Sequence, residues 1–325
     1  MEKFEKKNLI ELKKLTLDEL SKYYRDLRKY NYDNNLEKYK TPEIRYKIND
    51  LVQLLLKIDK ILSKREVHLL DDKRSYNNNS RIYTSSHVGR YDIETNYEII
   101  HEPVKMVVGD PGYNYLTLEG LFWQLFGTIF VDTGYQVADI RKKIKNNESI
   151  TSEEQELYDS YKTDRHMCLE YCKNYLKNKD NIIIYPEGAW NTTDKITTKF
   201  FTGAASMAID TDSELVPIGM VRDNKSYTAM IGENINVHGA TSKDAKDVTR
   251  ELQEKVNELV WKIIATRPLT KRSTLGTNEE LNKENIESIM SESDDEYTLD
   301  VIEKSRYEDT DSPEYVKKTL ERIRN

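Results

Sequence analysis

The sequence has few cysteines, no long apolar run and no excess of positive charge, and each absence narrows what it encodes. Two cysteines, Cys168 and Cys172, provide no disulfide framework. The longest apolar-rich stretch, Leu121 to Val131, is interrupted by Gln124 and Gly127 and falls short of the ~20 residues a membrane-spanning helix needs. The first 30 residues are charged throughout, so no signal-peptide pattern is present. A formal net charge of −7 argues against a general nucleic-acid binder. Together these features predict a cytoplasmic protein whose membrane contact is peripheral, at the inner face.

Apolar residues make up 37% of the 325, and charged residues 33%. A core fits this composition only if the charges lie outside it, and the 22 tyrosines help by burying area while keeping a polar tip. Charge is unevenly spread. Residues 1–75 carry an excess of +5 and residues 271–325 one of −6. Three zones follow: an N-terminal helical region (1–75), a layered α/β domain (76–270) and an acidic, disordered tail (271–325).

In the first zone Thr16 and Glu19 form a capping box ahead of Leu20, Tyr23, Tyr24 and Leu27. Thr41-Pro42 marks a second helix start. Beyond it Ile44, Ile48, Leu51, Leu55, Ile58 and Leu62 recur at helical spacing. Charges of both signs flank this stripe, which predicts packing on the domain rather than a membrane-surface helix. In the second zone six short β-type runs alternate with helical patterns: 81–84, 104–108, 128–131, 181–185, 215–221 and 227–231. The fold class implied is α/β, a layered mixed sheet flanked by helices.

Two clusters carry chemistry. His87 follows the first run in a loop with Gly89, and Asp92 comes five positions later. A carboxylate at that distance can accept from one ring nitrogen, fix the tautomer and offset the charge of an imidazolium. Taken alone, the pair also fits a loop histidine followed by an N-capping aspartate. The second cluster, Tyr185-Pro186-Glu187-Gly188-Ala189-Trp190-Asn191, ends a buried run in a sharp turn. Open α/β sheets bind ligands at that end of a strand. A structural Pro-Glu-Gly turn would look the same. His166, Cys168 and Cys172 do not supply a four-ligand metal set.

Together these clusters resemble the glycerophospholipid acyltransferase superfamily, which includes the 1-acylglycerol-3-phosphate acyltransferases. The matching blocks are His87 to Asp92, Gly127 to Asp132, Tyr185 to Gly188 with the small residues Gly203 to Ala205, and Leu215 to Ile218. The resemblance implies acyl transfer from acyl-CoA or acyl carrier protein to a hydroxyl of a lysophospholipid-like acceptor, with no metal or cofactor. His87 would be the base and Asp92 its partner. Glu187 would hold the acceptor hydroxyl, and Gly188 would offer its N–H to the oxyanion. Thr133 and Trp190 stand where the family usually has phosphate-binding arginines. Arg90, Lys199 and Arg222 are the residues that could replace that charge, and Asn191 lies beside Trp190. A glycan or polyol is the alternative acceptor. A non-catalytic lipid- or partner-binding module is the alternative of another class.

Overall fold

The computed structural model describes residues 4–34, 49–89, 91–110, 127–132, 134, 137–191, 196–223 and 225–266. The helix start at Thr41-Pro42, Ile44 and Ile48, and the acidic tail lie outside these residues. So do the candidate site residues Arg90 and Thr133. Among the described residues seven strands form one sheet: β1 (Glu66–Asp72), β2 (Arg81–Ser85), β3 (Val104–Asp110), β4 (Ile129–Asp132), β5 (Asn181–Ile184), β6 (Glu214–Asp223) and β7 (Ser226–Ile231). Their order is β1-β7-β6-β2-β5-β3-β4. The five strands from β6 to β4 are mutually parallel, β7 runs antiparallel to β6, and β1 pairs parallel with β7. This mixed sheet, flanked by helices, is the α/β class the sequence predicts.

The helices are α1 (Leu9–Leu12), α2 (Leu17–Asp33), α3 (Asn49–Ser63), α4 (Asp92–Ile100), α5 (Ala138–Lys145), α6 (Ser152–Lys177), α7 (Gly203–Thr211) and α8 (Ala245–Thr266). Strand periodicity divides the core in two. Ile82, Ile182 and Leu215 face α6, α7 and α8 through Leu176, Ala208, Val256 and Val260. Their chain neighbours Tyr83, Ile183 and Val216 face α3 and α4 through Leu56, Tyr97 and Ile100. Full burial of each aliphatic side chain contributes about 1.5–3 kcal/mol.

This topology positions the site. From β2 the chain crosses through α4 to β3, passing over β5. From β5 it crosses through α7 to β6, passing over β2 in the other direction. The two crossovers diverge between neighbouring parallel strands, and a crevice opens where such connections part. Thr84 pairs with Ile184, so the loops leaving β2 and β5 emerge side by side.

Two elements differ from the sequence reading. β1 lies within the zone read as helical, so the sheet begins before residue 76. As an edge strand it leaves Leu69 and Leu70 exposed, and a register irregularity between Leu69 and Asp71 breaks the alternation that identifies a strand. The second difference is in α3. Leu51, Leu54, Leu55, Ile58, Ile61 and Leu62 are exposed, the last two at 74% and 79%. Val52, Gln53 and Leu56 face inward instead, Gln53 Nε2 donates to Tyr97 O at 3.1 Å, and Lys60 pairs with Glu98 on α4. The helix thus turns its apolar stripe outward.

α2 has the predicted capping box, with Leu20 and Tyr24 buried. Its Arg25 pairs with Asp132 at the end of β4, and its Arg28 with Asp164 of α6 at 2.6 Å. Among the described residues no helix is long and apolar enough to cross a membrane.

Candidate active site

His87 sits one residue beyond the β2 loop residue Ser86, whose hydroxyl both donates to Met220 O (3.1 Å) and accepts from Met220 N–H (2.9 Å). That exchange ties the strand end to β6. Two further backbone bonds fix the histidine itself. Its N–H donates to Glu187 Oε1 at 2.8 Å, and its carbonyl accepts from Asn191 N–H at 2.8 Å. The loops after β2 and β5 are therefore stitched together at this residue.

The ring is fixed as firmly. His87 Nδ1 lies 2.7 Å from Asp92 Oδ2, and the same oxygen accepts from Val88 N–H (3.1 Å) and Gly89 N–H (3.2 Å). An ionised carboxylate only accepts, so Nδ1 carries the proton and Nε2 keeps a lone pair. Asp92 is buried, whereas the His87 side chain is 15% exposed. The aspartate reaches this place because Tyr91, the residue before α4, is in the left-handed region at φ 69°. That conformation turns the first residue of the helix back over the loop. It costs a non-glycine residue roughly 1–2 kcal/mol, offset by three hydrogen bonds to one charged oxygen.

Aromatic rings frame the imidazole. Tyr185 stacks on it with centroids 4.0 Å apart and 15° between planes, and Trp190 meets it edge-on at 6.0 Å. The Tyr185 hydroxyl accepts from Asn96 Nδ2 at 2.9 Å. Burial, with Asp92 nearby, pushes this phenol well above its usual range, so the floor under His87 stays neutral.

Glu187 and Gly188 both make hydrogen bonds within the protein. Glu187 is completely buried. Its Oε1 accepts from His87 N–H, and its Oε2 accepts from Thr198 N–H (2.6 Å) and Thr198 Oγ1 (2.7 Å). The carboxylate thereby clamps two loops. Gly188 N–H donates to Tyr185 O at 3.0 Å within the turn. What the turn requires of Gly188 is its left-handed φ of 72° and its lack of a side chain, since a Cβ would come 2.8 Å from the Phe201 ring.

The structure thus brings His87, Asp92, Glu187, Gly188, Trp190 and Asn191 together. Lys199 is buried, next to Thr198. Arg222, half-buried near the end of β6 and opposite Tyr227, is two residues past Met220. Sequence reasoning missed Thr198, the second anchor of Glu187. Its contact joins the turn after β5 to a loop eleven residues further on, and no local pattern announces it.

Residues 64–221 match the family model described as Acyltransferase. No curated protein matches the chain. Among solved structures it is similar to the 1-acyl-sn-glycerophosphate (LPA) acyltransferase PlsC from Thermotoga maritima. The identity is 13%, the match covers 69% of this chain and 82% of that one, and the TM-score is 0.49. The matched segment runs from just before β1 into β6 and contains both halves of the site. Residues 64–221 of this chain are thus an acyltransferase domain.

Proposed function

We propose that His87 is the general base of a direct acyl transfer from a thioester to the hydroxyl of a lysophospholipid-like acceptor. The observation that carries this reading is Asp92 Oδ2, 2.7 Å from Nδ1, which leaves Nε2 as the accepting nitrogen of a partly exposed ring. Nε2 takes the hydroxyl proton as the oxygen attacks the thioester carbonyl. A tetrahedral intermediate forms, the C–S bond breaks, and the imidazolium returns the proton to the departing sulfur. Asp92 offsets the positive charge of the imidazolium meanwhile. A thiol leaves readily, with a pKa of about 8.5. The donor is acyl-CoA or acyl carrier protein, and neither metal nor cofactor enters the scheme.

For the acceptor, Trp190 is the informative residue. Its ring lies nearly perpendicular to that of His87 with centroids 6.0 Å apart, at a position where relatives place a guanidinium. Bonds to charged groups contribute about 1.5–3 kcal/mol each. An acceptor with a terminal phosphate monoester therefore gains little here. We expect kcat/KM for lysophosphatidate and glycerol 3-phosphate to be at least about tenfold below that for a lysolipid lacking the monoester. Equal values would show that the phosphate is recognised after all. Trp190 also favours the second reading, a glycan or polyol acceptor, because an aromatic surface packs on the apolar face of a sugar. The same assay with these acceptors separates the two. A non-catalytic module would turn over no thioester with any of them.

The outward apolar stripe of α3 supports peripheral membrane contact. Its ion pairs and amide bond face the protein, and its leucines and isoleucines face out, the arrangement of a helix lying in a lipid surface. Full burial of one such side chain is worth about 1.5–3 kcal/mol. Replacing Leu55 and Ile61 together by lysine should therefore lower partition onto phosphatidylcholine–phosphatidylglycerol vesicles by at least about tenfold. Turnover of a soluble short-chain acceptor should persist. Unchanged sedimentation with vesicles, or a shift from dimer to monomer on substitution, would assign the stripe to another partner.

A further inference from the structure

α8 presents an apolar face to the sheet through Leu252, Val256, Val260 and Ile263, yet it also buries two amides there, Gln253 and Asn257, both completely. They lie one turn apart on the same side of the helix. A buried amide contributes nothing to packing that an aliphatic chain would not, and it costs free energy unless its hydrogen bonds are met. Here they are met by one short loop. Gln253 Nε2 donates to Thr198 O (2.8 Å) and to Thr197 Oγ1 (3.0 Å), and its Oε1 accepts from Phe200 N–H (3.3 Å). Thr197 Oγ1 in turn donates to Asn257 Oδ1 at 2.7 Å.

The same loop holds Glu187. Thr198 gives both its N–H and its hydroxyl to Oε2, and Oε1 receives the N–H of His87. From α8 to His87 there is thus an unbroken path of hydrogen bonds through buried groups. Residues 245–266 lie outside the segment that matches the acyltransferase family.

We infer that Gln253, assisted by Asn257, is a positioning residue that fixes His87 through Thr197, Thr198 and Glu187, so that α8 belongs to the catalytic apparatus. This rests on His87 being the base. The path acts on the main chain of His87 and leaves the Asp92 contact to the ring alone. Loosening it therefore affects the placement of Nε2 and not its basicity. Misplacement of a reacting group by about 1 Å can cost 10²-fold in rate.

The test compares Gln253→Met, Thr197→Val and Thr197→Ser in the full chain, each assayed well below its melting temperature. For Gln253→Met, kcat should fall at least about tenfold with KM within about twofold and the acid limb of the pH profile unmoved. Thr197→Val is nearly isosteric and remains informative if Gln253→Met does not fold. It should lose about fivefold in kcat, and Thr197→Ser, which keeps the hydroxyl, should recover most of it. In a Glu187→Gln background, Gln253→Met should cost little more, because both act on one path. Folded Gln253→Met and Thr197→Val proteins with wild-type kcat would overturn the inference, as would full additivity with Glu187→Gln. If His87→Ala is inactive while these variants are fully active, only the role of α8 fails. If His87→Ala is active, the reading of the base fails.

Discussion

Replacing His87 by alanine should lower acyl transfer by about 10²–10⁴-fold, the contribution of a positioned general base. The protein should still fold. The side chain is partly exposed and its ring bond goes to Asp92, while the bonds that tie the loops use the His87 main chain, which alanine keeps. Val88 and Gly89 would continue to satisfy Asp92 Oδ2. Loss of rate with an unchanged melting temperature would therefore separate chemistry from stability. The measurement is kcat/KM with a thioester and a lysolipid acceptor, alongside thermal unfolding. A folded His87→Ala protein that transfers at near-normal rate would refute the mechanism.

Asp92 gives the second large effect, and the geometry makes it depend on the substitute. One oxygen accepts from Nδ1–H and from two backbone N–H groups. In Asp92→Asn those donors should draw the amide carbonyl into the same place, so the ring keeps its tautomer and loses only the compensating charge. A bond to a charged acceptor exceeds one to a neutral acceptor by about 1–2 kcal/mol, so a loss of roughly 5–30-fold is expected. Asp92→Ala removes the acceptor entirely and leaves two buried N–H groups unmet, at about 1–3 kcal/mol each. Its rate should fall by about 10²–10³-fold, with a lower melting temperature. If both variants lose less than threefold, the aspartate merely caps the loop. If asparagine is as damaging as alanine, the amide has turned the wrong way and the tautomer is lost.

What the sequence reveals about this site follows the range of the interactions. The His87–Asp92 pair lies within five residues and its contact is made by one turn, so spacing allows it, but only the Tyr185–Gly188 block elsewhere in the sequence favours a paired histidine over a loop histidine with a capping aspartate. The strands β2 to β7 appear as short β-branched or aromatic runs because the sheet buries them. β1 escapes notice because it is an edge strand with exposed leucines and an interrupted alternation. The stripe on α3 is visible as periodicity, but periodicity cannot say which medium the stripe faces. Spacing led to packing on the domain, whereas the inward face is built from Val52, Gln53, Leu56 and ion pairs. Glu187 and Gly188 are conspicuous as a motif beside His87, yet their roles depend on Thr198 and Tyr185 O, partners that only the folded loops specify. Gln253 reaches them from beyond β7 and leaves no local trace at all.

Direct transfer from a thioester to an acceptor hydroxyl, with His87 moving the proton, leaves a stoichiometric signature. The most direct measurement is stoichiometry: thiol released from a labelled acyl thioester against ester formed, with and without a lysolipid acceptor. Direct transfer should give one ester for each thiol when acceptor is present and no thiol release in its absence. Release of thiol without acceptor, as a burst or as steady hydrolysis, would contradict it.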